Sequence, residues 1–497
     1  MIDRHINLDV DRVGFGDALV RAMHLLRATT GIPGADPYEA LREWTIFPYA
    51  SRRQGWRKWA FKLTHGLLWR QESFNRSLLA AENIQAAFRE GEKPDLVIVA
   101  PFHVQAMRSG GAVRVGGMAH ALAAYGRVLI VSIEDDYLVA RRELWPGVSL
   151  VSAPRSRAFL DTVDKVKPVY GYYGHFLTVA QRPDLLPEFQ YILKEAVSSA
   201  RAVMVVGPFA WPAIQDLVQN KCVIYDSHDD VMQFLDVVDF NADRTRTLGA
   251  ISDLENTLCR HANIVSMTTD EDVEKLRVRL PEVYAKTVVV RNGVDLEASR
   301  PTTPSLSRRL ARAVGMDATL HLFLGTGHGP NLEAVRWMSD TLAVVRPHDW
   351  FVVLGMPFHL YKNSAHYAPP PRNLIFTGSV SHDVKESVMA LATTALCPMR
   401  LGTGSSLKVP DCLAHGKITL ATSVGARGFP GVEEVVTMLD REHFAAEIDG
   451  LIAGLADNLD AWDARSRGGR VYVERELSWE HVVKPYEEIL LDAFRRR

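Results

Sequence analysis

Short apolar runs alternate with longer stretches of helical spacing along most of the chain. Residues 95–100 form the first apolar run, and a predicted helix over residues 115–125 and a second run over residues 128–132 follow it. Continuous apolar runs of this length are typical of strands that are buried on both faces of a parallel sheet. The pattern therefore predicts βαβ units and an α/β fold.

The same pattern recurs twice, with a break between the two series. The later predicted strands are residues 202–206, 223–225, 264–267, 288–290, 321–324, 350–354, 374–377, 395–398 and 418–422. Residues 301–317 contain two prolines and many Ser and Arg residues, which is typical of a linker. We therefore expect one α/β domain over residues 94–300 and a second over residues 318–475. An amphipathic helix in the C-terminal segment, residues 476–497, is expected to cross back to the first domain.

Residues 1–93 have a different, mainly helical pattern. Within them, residues 52–70 combine six Arg and Lys residues with four aromatic rings and contain no acid. A basic aromatic helix of this kind can lie on an anionic membrane surface. It can equally pack on the main body of the protein with its basic ends in solvent, and the sequence leaves both interpretations open.

Composition narrows the class of protein. A chain of 497 residues predicts two or three domains, and 47% apolar with 23% charged residues is ordinary for a globular enzyme. A net charge of −2 argues against a nucleic-acid partner. The four cysteines are far apart and form no C-x-x-C pair, which indicates free thiols in a reducing compartment. No signal-peptide or membrane-spanning pattern is found, so we expect a cytoplasmic protein.

Residues 393–427 carry the strongest chemical pattern. A predicted strand ends at Pro398, a loop with Gly402 and Gly404 follows, and a predicted helix then carries Lys408 and Asp411. Glycines let main-chain N–H groups approach a ligand, and a lysine close by adds positive charge. The pattern predicts a site for a diphosphate and a neighbouring ribose, although an ordinary strand–loop–helix connection can share it.

Four further candidates lie in the first domain, and three of them follow predicted strands. Ser109-Gly110-Gly111 comes after the first strand, and His228 lies in the acidic loop of residues 226–230. At the carboxyl end of a strand, His228 can contact a substrate hydroxyl or a leaving phosphate, or simply bond the neighbouring carboxylates. The segment 171–175, with His175, is a weaker candidate. The acidic residues 134–136 suggest a metal site or, with no histidine nearby, plain loop carboxylates.

Together these segments resemble the GT-B glycosyltransferases, and more specifically the retaining, family-four (group 1) enzymes. The resemblance covers residues 95–497. It is carried by Ser109-Gly110-Gly111, Arg291-Asn292-Gly293-Val294-Asp295, Phe323-Leu324-Gly325 with Pro330-Asn331 and Trp337, Phe376-Thr377-Gly378, Gly402-x-Gly404 with Lys408-x-x-Asp411, and Trp479-Glu480.

The resemblance implies two Rossmann-like domains facing each other across a cleft. It further implies a metal-independent, retaining hexosyl transfer from a UDP- or GDP-sugar, without a cofactor, in polysaccharide biosynthesis. The expected acceptor is a glycan, a lipid-linked saccharide or a small molecule. Lys408 is expected on the diphosphate, Asp411 on the ribose and His228 near the sugar. The expected donor-binding residues are Gly110, Gly111, Asn292, Gly325, Gly327, Gly402, Thr403, Gly404, Ser405, Ser406 and Leu407.

The sequence also departs from the family pattern. Thr403 stands where the family's first motif glutamate is expected, Asp411 is shorter than the second glutamate, and residues 207–209 lack the usual histidine. These departures keep open a scaffold that binds a nucleotide sugar without transferring it. A dinucleotide oxidoreductase is a weaker alternative, because Gly325-x-Gly327-x-Gly329 lacks the G-x-G-x-x-G spacing and no acid follows the next strand.

Overall fold

The computed structural model describes residues 93–495 except residues 108, 135–138, 229–243 and 365–366. Two compact units contain them: residues 93–291 together with residues 482–495, and Asn292–His481. The predicted helical extension, including the basic aromatic segment 52–70, lies outside the described residues up to residue 92. In the described part of the chain, no helix is long and apolar enough to cross a lipid bilayer.

The first unit is organised around a sheet of eight described strands in the order β3-β4-β2-β1-β5-β6-β7-β8. Only the pair β3–β4 is antiparallel among the pairings described. The strands are β1 (Leu96–Ala100), β2 (Val128–Glu134), β3 (Ala140–Trp145), β4 (Val148–Pro154), β5 (Ala202–Val206), β6 (Cys222–Asp226), β7 (Ile264–Met267) and β8 (Thr287–Val289).

Helices cover this sheet because their apolar faces and the fully buried central strands share one core. They are α1 (Gly110–Leu122), α2 (Arg157–Tyr170), α3 (Gly174–Gln181), α4 (Pro187–Ser199), α5 (Trp211–Ile214), α6 (Arg244–His261) and α7 (Asp270–Arg279). Side-chain hydrogen bonds cap the N-termini of several of these helices. Ser109 accepts a hydrogen bond from the main-chain N–H of Ala112 at the start of α1, and Thr269 does the same for Asp272 at α7.

The second unit contains a parallel sheet of six described strands in the order β11-β10-β9-β12-β13-β14. These are β9 (Leu320–Leu324), β10 (Trp350–Leu354), β11 (Leu374–Gly378), β12 (Thr394–Cys397), β13 (Ile418–Ala421) and β14 (Thr437–Met438). The helices of this unit are α8 (Pro304–Ala313), α9 (Gly329–Trp337), α10 (Ala343–Val345), α11 (Phe358–Lys362), α12 (His382–Leu391), α13 (Lys408–Ala414), α14 (Phe444–Asp457), α15 (Leu459–Glu476) and α16 (Trp479–Val482).

The predicted α/β class with two largely parallel sheets is confirmed. Two details differ from the sequence patterns. Residues 301–317, expected to form a linker, contain α8, whose Leu310 and Ala311 are buried in the core of the second unit. The amphipathic helix expected within residues 476–497 is broken at Pro485 into α16, a 3₁₀ turn and α17 (Glu487–Arg495), because proline interrupts helical hydrogen bonding.

Each sheet has a point at which the strand order reverses. In the first sheet it lies between β1 and β5, and in the second between β9 and β12. Loops that follow such strands leave the sheet in opposite directions and open a crevice at its carboxyl edge, where ligands of open α/β sheets bind. The residues after β1, β5, β9 and β12 therefore border these crevices, and the residues after β6 lie at the same edge, one strand beyond β5.

Candidate functional site

His228 and the start of α1 lie side by side in the first unit. A Cβ atom added at Gly111 would lie 3.2 Å from Nδ1 of His228, so the two residues are in close contact. The imidazole also packs edge-on against Phe102, with ring centroids 6.1 Å apart. Ser109 and Gly110 are exposed immediately beside them. The structure thus brings together the candidates that follow β1 and β6.

A buried carboxylate lies behind the imidazole. Nε2 of His228 is 3.0 Å from Oδ2 of Asp226, the last residue of β6. Burial alone would raise the pKa of Asp226, but the charge of Arg114, together with the interactions with His228, outweighs burial and holds it well below the ordinary value. The guanidinium of Arg114 donates to both carboxylate oxygens, over 3.1 Å from Nε and 2.6 Å from Nη2. Asp226 is therefore ionised and can only accept hydrogen bonds.

The weaker candidates of the first unit have structural partners. Nε2 of His175 lies 3.1 Å from the carbonyl oxygen of Pro101, and burial lowers the pKa of His175 to about 4, so it is neutral at pH 7. Glu134 accepts hydrogen bonds from the main-chain N–H groups of Val104 and Gln105 and lies 3.0 Å from Nδ1 of His103. The other two acids of the predicted cluster lie outside the described residues. Among the described residues, no group of His, Cys, Asp and Glu side chains is placed to hold a metal ion.

In the second unit, residues 402–407 form the loop that enters α13, and two side chains fix its main chain. Arg427 donates from Nε and Nη2 to the carbonyl oxygen of Gly404, over 3.0 and 2.7 Å. Asn292 donates from Nδ2 to the carbonyl oxygen of Ser405, over 2.8 Å. Gly404 has φ of +61°, a conformation that favours glycine. The predicted donor residue Asn292 thus supports the loop from a buried position.

Lys408 is the first residue of α13, directly after this loop. The residue is half-buried, and its ammonium lies 5.9 Å from the ring centroid of Phe323. Burial lowers the pKa of Lys408 below the ordinary lysine value. No carboxylate among the described residues pairs with it, although the other half-buried or buried lysines of this unit have polar partners. An unpaired, partly desolvated cation beside a glycine loop is suited to an anionic ligand.

Asp411 has protein partners in the structure. Its oxygens lie 3.0 and 2.8 Å from Nζ of Lys385 on α12, and Oδ1 lies 3.2 Å from Nδ1 of His415. Burial alone would raise the pKa of Asp411, but Lys385 and His415 hold it well below the ordinary value. The carboxylate is therefore ionised, and it remains half-exposed. It can accept a ligand hydroxyl only in addition to these partners.

Gly325 and Gly327, which follow β9, have a packing role. A Cβ at Gly325 would lie 2.6 Å from the ring of Phe323, and one at Gly327 would lie 2.1 Å from Leu360. His328 in the same loop is not among the candidates from sequence. Burial first, and then the charge of Lys408, lower its pKa to about 4, so a neutral imidazole lies near the ammonium. Its position after a central strand is the signal that could have identified it.

A family model matches part of the second unit. Residues 318–454 match the family model described as "Glycosyl transferases group 1". No curated protein matches the chain. The structure is similar to sucrose-phosphate synthase from Thermosynechococcus elongatus, with a TM-score of 0.59 and 14% identity over 80% of this chain and 98% of that one.

Two further solved structures are similar over most of the chain. The catalytic domain of starch synthase IV from Arabidopsis thaliana, bound to ADP and acarbose, has a TM-score of 0.55 and 13% identity over 82% of this chain and 100% of that one. HepE from Anabaena, in complex with UDP-glucose, has a TM-score of 0.55 and 11% identity over 80% of this chain and 100% of that one. The predicted resemblance to GT-B glycosyltransferases of group 1 is thereby confirmed, and these distant likenesses establish the fold.

Proposed function

We propose that this protein is a glycosyltransferase that moves a sugar from a nucleotide-sugar donor to an acceptor hydroxyl. The proposal rests mainly on the environment of Lys408. Lys408 is a half-buried lysine without a carboxylate partner among the described residues, at the end of a fixed glycine loop. It lies in the segment that matches the group 1 family model.

Comparison with two other lysines of the second unit supports this assignment. Nζ of Lys385 is paired with Asp411, and Nζ of Lys417 donates to Thr302 and Ser307. Desolvating a cation costs free energy unless a partner compensates, and Lys408 lacks such a partner in the part of the chain that the structure describes. A bound diphosphate would supply the missing negative charge.

The chemistry that follows is electrostatic stabilisation of a leaving group. As the sugar–phosphate bond breaks, negative charge develops on the diphosphate, and a fixed ammonium with main-chain N–H groups stabilises that charge. Lys408 and the loop of residues 402–407 would supply these groups. The neutral imidazole of His328 nearby adds no competing positive charge, because its pKa is lowered to about 4. The remaining acceptor capacity of Asp411 suits a ribose hydroxyl.

We further propose that transfer retains the anomeric configuration and needs no metal ion, and that a hexose is moved from a UDP- or GDP-sugar. The resemblance supports these finer points, and the UDP-glucose bound to the similar HepE structure supports a UDP-hexose as the donor. A glycan, lipid-linked or small-molecule hydroxyl compound is the proposed acceptor, with a role in polysaccharide biosynthesis. His228 at the start of α1 is the proposed sugar contact of the first unit.

Binding without transfer is the second candidate function. Asp411 is already engaged by Lys385 and His415, and Thr403 replaces a carboxylate expected from the family pattern. Both observations are compatible with a nucleotide-sugar-binding scaffold. The two candidates differ in one measurable property, because only the enzyme releases the nucleoside diphosphate.

A donor panel distinguishes these candidates. We would titrate UDP-glucose, UDP-N-acetylglucosamine, GDP-mannose and ADP-glucose into the protein by calorimetry, then assay diphosphate release with EDTA present and product anomers by NMR. Lys408→Ala should weaken donor binding at least about 30-fold, since a charge-assisted contact contributes about 2 kcal/mol. Arg309→Ala removes an equal charge from an exposed position on α8 and should leave donor affinity unchanged. Equal binding by both variants would contradict the donor site, and binding without release would favour the scaffold.

A further inference from the structure

Asp226 is the meeting point of four segments of the first unit. It is fully buried, and the guanidinium of Arg114, itself 1% exposed, donates to both of its oxygens. Oγ of Ser266 donates to Oδ1 over 3.0 Å. The hydroxyl of Tyr486 lies 2.6 Å from Oγ of Ser266 and 3.3 Å from Oδ1 of Asp226. Nε2 of His228 completes the set at 3.0 Å from Oδ2.

These partners fix the rotamer of the carboxylate. Two donor atoms of Arg114 fit its two oxygens, so Asp226 cannot turn without breaking a bidentate ion pair in the core. The hydroxyl groups of Ser266 and Tyr486 add further contacts to Oδ1. Oδ2 is thereby held in a constant direction, towards the imidazole of His228.

An ionised carboxylate determines which imidazole nitrogen carries the proton. Nε2 of His228 lies within ion-pair distance of Oδ2, 3.0 Å away, although the angles between them are not those of a hydrogen bond. Because Asp226 is ionised and accepts only, the tautomer it favours is the one that carries the proton on Nε2, the nitrogen that faces it. In the neutral ring, Nδ1 then has a free lone pair. Nδ1 is the atom that lies at Gly111, beside the exposed residues Ser109 and Gly110 at the start of α1.

We infer that Asp226 and Tyr486 are positioning residues for His228. Together with Arg114 they hold the imidazole in the Nε2–H tautomer and present the lone pair of Nδ1 at the start of α1. A hydroxyl group of a bound sugar is the partner that this lone pair would accept a hydrogen bond from. This last step rests on the proposed function, whereas the tautomer and its control by Asp226 and Tyr486 do not.

The histidine is not needed to satisfy the buried ion pair. Arg114 already donates to both oxygens of Asp226 and also to the carbonyl oxygens of Val290 and Arg291, and Ser266 adds another donor. The side chain of His228 is 20% exposed, in contrast to the fully buried carboxylate behind it. The ion pair in the core is complete without the imidazole. The partly exposed position of His228 therefore favours a role in contacting a ligand.

Tautomer measurement by NMR tests the inference directly. The full-length protein, labelled with ¹⁵N-histidine, is recorded in long-range ¹H–¹⁵N correlation spectra at pH 8, and the His228 signals are assigned by their loss in His228→Gln. We expect the Nε2–H tautomer. The Nδ1–H tautomer, or a doubly protonated ring at this pH, would overturn the inference whether or not the protein transfers sugar.

Two variants test the positioning residues. Asp226→Asn presents an amide N–H in place of one oxygen, so we expect His228 to adopt the Nδ1–H tautomer and kcat to fall at least about 100-fold. Tyr486→Phe keeps the ion pair and the packing, so it still tests the inference if Asp226→Asn fails to fold. Here we expect a minor population of the Nδ1–H form and a fall in kcat of about tenfold with little change in donor KM.

Tyr225→Phe is the matched control. Tyr225 precedes Asp226 on β6, is equally buried, and donates its hydroxyl to Glu255 over 2.7 Å. It should lose comparable stability while the tautomer and kcat stay unchanged. Equal tautomer populations in the Tyr486→Phe and Tyr225→Phe variants would overturn the role of Tyr486. A wild-type protein with the Nε2–H tautomer but no transfer activity would contradict the proposed function alone.

Discussion

Asn292 donates a hydrogen bond from Nδ2 to the main-chain oxygen of Ser405, over 2.8 Å. Its main-chain N–H also lies within 3.4 Å of Oγ of Ser405. The two residues are 113 positions apart in sequence, so the first residue of the second unit fixes the loop that precedes Lys408. Loop position and donor binding should therefore depend on this amide.

Asn292→Ala should weaken nucleotide-sugar binding by about tenfold, because the main chain of residues 402–407 is no longer held and must be ordered by the ligand. Loss of one hydrogen bond should cost about 1 kcal/mol of unfolding free energy. Calorimetric titration and urea unfolding measure the two effects. Asn373→Ala, which removes another buried amide that bonds main-chain carbonyls, should lower stability without changing affinity. Equal affinity in both variants would contradict the supporting role.

Donor affinity should fall with rising pH earlier than for an ordinary lysine site. The reason is that burial lowers the pKa of Lys408, so its ammonium is lost below the usual lysine range, and only the ammonium attracts the diphosphate. Lys408→Arg keeps its charge and should retain affinity up to about pH 10. Titrations between about pH 7 and pH 10 check this. A parallel decline in both proteins would assign the pH dependence to another group.

Gly111→Ala should lower activity more than stability. The new methyl group would lie 3.2 Å from Nδ1 of His228 and 3.4 Å from the ring of Phe102, so the imidazole must move. Alanine in a helix gains up to about 1 kcal/mol over glycine, which offsets the strain. We expect kcat to fall about tenfold with a nearly unchanged urea midpoint. Gly249→Ala in α6, where no atom lies within 4 Å of the added methyl, should leave kcat unchanged.

His415 should stabilise the second unit at low pH. Burial alone would lower its pKa, but hydrogen bonds to Asp411 and Glu386 outweigh burial and raise the pKa to about 9. The folded protein therefore binds a proton more tightly than the unfolded chain. Its contribution is complete below pH 6.5 and is lost as pH rises through about 9. The stability difference between wild type and His415→Gln should shrink by up to about 3 kcal/mol over this range.

Lys417 should change stability with pH in the opposite direction to His415. The residue is 2% exposed, and among the described residues its ammonium donates to neutral oxygens, those of Thr302, Ser307 and Ala392. Burial lowers its pKa to about 7, so the unfolded chain binds the proton more tightly between about pH 7 and pH 10.5. Wild type should therefore gain stability relative to Lys417→Met as pH rises through this range, by up to about 1.4 kcal/mol per pH unit. Urea unfolding at several pH values across this range measures it, and a constant difference would contradict the prediction.

The sequence predicts the buried parallel strands well because their apolar runs are unlike any other segment. The expected strands at residues 202–206, 264–267 and 350–354 agree with β5, β7 and β10 residue by residue. The hairpin of β3 and β4 lacks this signal, because Ala140–Trp145 is half-exposed and rich in charge. The helix α8 resembles a linker in sequence, since its proline and serines are also typical of loops.

The candidate site is predictable as a set of positions but not as a set of contacts. The carboxyl ends of strands point to His228 and Lys408 from sequence alone. Nothing in the sequence indicates that Asp411 pairs with Lys385, 26 positions away, or that Tyr486 reaches Asp226 across 260 positions. Such partners depend on which helix packs on which strand, and tertiary packing fixes that choice.

The contact between Tyr486 and Asp226 has a consequence for biosynthesis. Residues 482–495 belong to the first unit but are translated only after the whole of Asn292–His481. On the ribosome, the first unit can therefore form its sheet early, yet His228 must wait for Tyr486 to emerge before its supporting carboxylate is complete. A stalled nascent chain that lacks these residues would have an assembled sheet, but the carboxylate behind His228 would lack its contact with Tyr486.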